Sequence, residues 1–100
     1  MLNNAALSQS LLSIRSSLAA ADAKTSPQLA DAAAQFVRKA IGSVGSNPEL
    51  DERSRNLLDA IASLSRGLKP QLDPGSVEAQ RQLARQHLNA FERTLARHGA

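Results

Sequence analysis

Apolar residues recur along most of this chain at alternating steps of three and four, the spacing that gathers them on one side of an α-helix. The clearest run lies between Asn47 and Gly67, where Leu50, Ser54, Leu57, Ile61, Leu64 and Leu68 form a single stripe. Leu7, Leu11, Ile14, Leu18 and Ala21 set the same pattern earlier, and Leu29, Ala33, Phe36, Val37, Ala40, Ile41 and Val44 continue it. Val77, Ala84, Leu88, Phe91, Leu95 and His98 close the series, with Leu83 at the margin. Valine and isoleucine are too thinly spread to build a sheet. The spacing therefore predicts an all-α fold, a small antiparallel bundle of four helices at about 4–22, 27–43, 48–67 and 76–98. Residues 1–100 form one domain, and a three-helix core with a mobile end helix is the alternative.

Polar and helix-breaking residues punctuate these stripes. Thr25 with Gln28 has capping-box spacing for the second helix, while Ser26 can cap it instead with Pro27 at the first helical position. Gly42 and Gly45 are its stops. The third helix opens on a Ser46–Glu49 capping box or on Asn47 before Pro48, and Arg66 with Gly67 closes it. Glu49, Asp51 and Glu52 suit its first turn, and Glu49–Arg53 and Asp51–Arg55 are spaced for ion pairs along it. Pro70 and Pro74 mark residues 69–75 as a linker, with Leu72 tucked against the bundle. Asp73 or Ser76 then caps the last helix, and Gly99 ends it.

Length changes the picture by limiting the core. A chain of 100 residues with two Phe, no Trp and no Tyr packs narrow helix contacts, and self-association would add burial. The absence of cysteine removes disulfides, thiolate metal sites and a cysteine nucleophile. No apolar run approaches the roughly 18 residues of a membrane span, so a cytoplasmic location is the default expectation. The first helix carries Ser8, Ser10, Ser13, Ser16 and Ser17 where a solvated face normally shows Lys and Glu, and Arg15 is its only charge before Asp22. Such a smooth face lets another backbone approach, which makes Ser10, Ser13 and Ser17 candidate contacts for a partner or a second copy. The same composition is compatible with a leader read by a type III secretion route. Alanine, arginine and serine usage has a bacterial look.

Charge adds a second candidate surface. The formal excess of +3 is matched by Arg81, Arg85, Arg93 and Arg97 set against Glu92 after residue 80. With Asn89 these arginines are spaced by four along an expected outward ridge, suited to carboxylates or phosphates. An acidic protein partner ranks ahead of nucleic acid. There is no aromatic platform for bases, the net charge is small, and the connections do not resemble a helix-turn-helix turn.

Candidate chemistry adds little. His87 and His98 stand eleven residues apart on one helix, about 16 Å along its axis, too far to share a metal ion. The sequence after His87, Leu88-Asn89-Ala90-Phe91, lacks the small, basic neighbours of a histidine phosphotransfer site. No serine sits in a strained Gly-flanked turn after a strand, and the Gly42–Ser46 loop lacks the lysine and strand of a P-loop. The expectation is a non-enzymatic helical protein without cofactor, metal or catalytic residue, acting through protein–protein contact as an adaptor, regulator or chaperone-like binder. Nucleic-acid binding through the arginine ridge is the alternative.

Overall fold

Each of the four stripes forms the inner face of a helix. The computed structural model describes residues 2, 4–68 and 74–99, and among these α1 spans Ala5–Ala19, α2 Ser26–Val44, α3 Pro48–Leu68 and α4 Pro74–Arg97. Each helix packs on the next, and α4 returns to α1, so the four close a ring. Neighbours run antiparallel: Ser26 at the start of α2 meets Ser65 near the end of α3, and Glu49 at the start of α3 meets Arg97 at the end of α4. Of the four interfaces around this ring, α3–α4 is the most extensive and α1–α4 the slightest. The molecule measures 40 × 23 × 18 Å.

The core follows the predicted stripes, except that Ile41, Val44, Leu68 and Val77 are only partly buried and His98 is exposed. Leu7, Leu11, Ile14, Leu18 and Ala21 are buried, as are Leu29, Ala33, Phe36, Val37 and Ala40. So are Leu50, Leu57, Ile61 and Leu64 of α3 and Ala84, Leu88, Phe91 and Leu95 of α4. Each buried leucine contributes about 1.5–3 kcal/mol relative to leaving it in water, which makes these stripes the main source of stability. Phe36 and Phe91 meet edge to face, with centroids 5.8 Å apart and planes at 78°. That contact joins α2 to α4 through the middle of the bundle and adds about 0.5–1.5 kcal/mol beyond burial. Leu2, ahead of α1, is also buried, and its carbonyl accepts from the Ser8 hydroxyl.

Several helix ends differ from expectation because side chains find other partners. Asn4 caps α1 by accepting from the Leu7 N–H at 3.1 Å. The helix stops at Ala19 rather than at 22, because Asp22 builds a turn of its own. The Asp22 carboxylate accepts from the N–H groups of Lys24 and Thr25 and from the Thr25 hydroxyl. These contacts, the Thr25 N–H foremost and then its hydroxyl, hold the Asp22 carboxyl below its ordinary value; the Lys24 N–H and charge add to the effect. Thr25 is thus spent on Asp22 and gives α2 no side-chain cap. Ser26 does not cap either: it lies inside the first turn, buried, with its hydroxyl 3.0 Å from that of Ser65.

Gly42 does not end α2, which continues to Val44; Gly45 ends it at φ 90°, a backbone state that glycine takes without strain. Asn47 caps α3 through the Leu50 N–H at 3.0 Å, leaving Ser46 to bond Asp51. Gly67 lies within α3, buried, and does not close it. Pro74 occupies the first position of α4, where its missing N–H costs nothing, so the helix begins two residues before the expected start. Residues 69–73 of the expected linker, with the placement of Leu72 and the capping role of Asp73, lie outside the described residues.

Candidate interaction site

The four arginines of the expected ridge do not share one environment. Arg81 is turned inward, its side chain only 19% exposed. It donates to the carbonyls of Leu18 and Ala19 and, at 3.1 Å, to that of Ala21, just where α1 ends and its carbonyls lack helical partners. A guanidinium from α4 thereby closes the C-terminus of α1. Glu78, 3.5 Å away on the same helix, balances its charge. Arg97 pairs with Glu49 at 3.1 Å, and His98 lies 3.4 Å from the same carboxylate. His98 therefore sits at the exposed edge of the bundle and not in the inner stripe, and the inward position near it is filled by Thr94, which bonds the Ala90 carbonyl. Glu49 reaches across to α4 instead of along α3 to Arg53. Arg85 and Arg93 remain exposed on α4, with Asn89 between them half-buried.

Because α1 and α4 touch lightly, a cavity of about 440 Å³ opens between them. Arg15, Leu18 and Ala19 line it from α1, and Glu78, Arg81 and Arg85 from α4. Arg15 spans the seam to Glu92 at 2.5 Å, half-buried at both ends. Of the three guanidinium groups lining the cavity, Arg81 is paired with Glu78 on its rim and Arg15 with Glu92 outside the lining, so the uncompensated charge belongs to Arg85. The geometry holds Arg15 and Arg81 in place and leaves Arg85 free to turn toward whatever enters.

Leu12 is 63% exposed, the most open large apolar side chain among the described residues. With Arg15 and Ala19 it follows the helical steps of three and four, so it stands one turn beyond the cavity on the same flank of α1. Ser10 and Ser13 occupy the opposite flank, where with Ile14, Ala32 and Lys39 they border a shallow depression of about 140 Å³ against α2. Ser17 is exposed. The structure does not bring these serines together with the arginines. Sequence spacing missed Arg15, Glu78 and Leu12 as parts of one site; the available signal was Leu12 itself, a leucine directly after Leu11 and off the inner stripe.

His87 is half-buried, and among the described residues no group of three acidic, histidine or cysteine side chains is placed to hold a metal ion. No helix among them is long and apolar enough to cross a membrane. The chain matches no protein-family model, and no curated protein or solved structure is similar to it at a significant level.

Proposed function

We propose that this is a non-enzymatic interaction protein that presents helix faces to a protein partner, as an adaptor, regulator or chaperone-like binder. The observation that carries the reading is Leu12, which stands open to solvent on a helix that already buries a full stripe. Covering an exposed leucine removes apolar area from water, and no charge lies on α1 before Arg15 to oppose an approaching chain. The partner surface is the outward side of α1 with its seam to α4.

Nucleic-acid binding draws less support, since Arg81 and Arg97 are engaged within the fold and only Arg85 and Arg93 extend freely from the ridge. Affinity capture from the native cell with the wild-type chain and with Leu12→Ser tests the proposal. A specific protein companion retained by the first and lost by the second is the expected result. Companions that are indifferent to Leu12, or nucleic acid released by modest salt, would remove it.

A further inference from the structure

We infer that the α1–α4 cavity receives a carboxylate from an acidic, amphipathic segment of the partner, while an apolar side chain of that segment covers Leu12. This deepens the interaction reading above and rests on it. Four features converge. The cavity is of a size found for ligand pockets, about 300–1,000 Å³. Two of its arginines are already fixed, Arg15 by Glu92 and Arg81 by the end of α1, so little side-chain freedom is lost when an anion docks. Arg85 supplies the free charge, and its planar fork suits a carboxylate with two parallel hydrogen bonds. Leu12 lies one helical turn along the same flank, about 5 Å away along the axis, which matches a partner carrying an acid and an apolar residue three or four positions apart.

Local charge separates a single acid from a polyanion. With Glu78 on the rim and Glu92 paired to Arg15, the three arginines leave an excess of one positive charge, which one carboxylate neutralises and a strand of phosphates exceeds. The second arginine-lined depression, about 520 Å³ with Arg53, Arg93 and Arg97 around Ala90 and Thr94, also carries Glu92 and shows no exposed leucine on its rim.

The test titrates the isotope-labelled full chain with a short helical peptide bearing Glu and Leu at i and i+4, and follows backbone amide resonances. Saturable shifts confined to residues 12–19 and 78–85 are expected. Replacing the peptide Glu by Gln, or Arg85→Glu in the protein, should weaken binding about tenfold. Leu12→Ser, which leaves the charges intact, should weaken it several-fold while the fold, monitored by circular dichroism, is unchanged. Absence of saturable shifts at these residues overturns the assignment. Shifts centred on Arg53 and Arg93 overturn it but leave the interaction reading standing. A single-stranded oligonucleotide that binds the same residues more tightly than the peptide, with a steep loss in salt, overturns both.

Discussion

Arg81 shows how one side chain can do for a helix what its own sequence does not. The last turn of α1 contains neither a basic residue nor a glycine, and its end carbonyls are met by a guanidinium arriving from α4, more than sixty residues later. Hydrogen bonds from a charged donor contribute about 1.5–3 kcal/mol, so Arg81→Gln should cost that order of stability in urea unfolding. Arg81→Lys should recover only part of it, because an ammonium cannot reach several carbonyls with a planar fork. Asp22 makes the second residue-scale prediction. Its folded carboxyl titrates below the unfolded value of about 3.9, so its contribution is complete above that value and disappears as pH falls through the folded one. A carboxyl titration by NMR should show the lowered midpoint, and Asp22→Asn should flatten the corresponding part of the stability-versus-pH curve. Neither residue role was legible in the chain: Arg81 follows the same four-residue spacing as Arg85, and only the tertiary position of α1 turns one inward and leaves the other out.

Helices, by contrast, were legible almost throughout, because the three-and-four spacing of Leu7 to Leu18 or Leu50 to Leu64 is a local property that packing only confirms. Their ends were less so. Thr25 and Ser26 are both sound caps by residue type, yet the first is taken by Asp22 and the second by Ser65, competitors that spacing rules do not count. At the start of α3 the Ser46–Glu49 box does not form, since Ser46 bonds Asp51 and Glu49 pairs with Arg97; the alternative cap, Asn47, holds that end, and Asn47→Ala should destabilise the protein by about 1 kcal/mol without altering the bundle. The slight α1–α4 interface sets a further expectation. α1 is the shortest helix, 15 residues, and its hold on α4 includes Arg15–Glu92 and Arg81. Amide hydrogen exchange should therefore be faster in α1 than in the central turns of α3, and faster still in Arg81→Gln. Uniform protection across the four helices would contradict that order.

At the scale of the whole molecule, the question is whether the open side of α1 is covered by a second copy or by a different protein. The radius of gyration, 13.2 Å, is close to the roughly 13 Å of a globular chain of this length, so the ring closes its core without a partner. A lean core and the uncharged serine face of α1 were the two grounds for expecting self-association; Leu50, Leu57, Leu64, Leu88, Phe91 and Leu95 are buried within the single chain, while Ser13, Ser16 and Ser17 stand exposed to either kind of partner. Area sets a limit. Fifteen residues make a helix about 22 Å long and 10 Å across, whose outward side covers a few hundred Å² per partner, short of the roughly 1,200 Å² total of a stable pair. Leu83 cannot extend the patch, since its helical position lies on the α3 side of α4, away from α1. The area limit holds for any partner confined to this patch, but a heterologous one can add a carboxylate to the apolar contact at Leu12 and so draw on Arg85, which a second copy of the same basic seam would repel. Sedimentation equilibrium at micromolar concentration should accordingly find a monomer, and addition of the acidic peptide should shift the mass by one peptide per chain. A dimer that persists at those concentrations and dissociates on Leu12→Ser would instead assign the outward side of α1 to self-association.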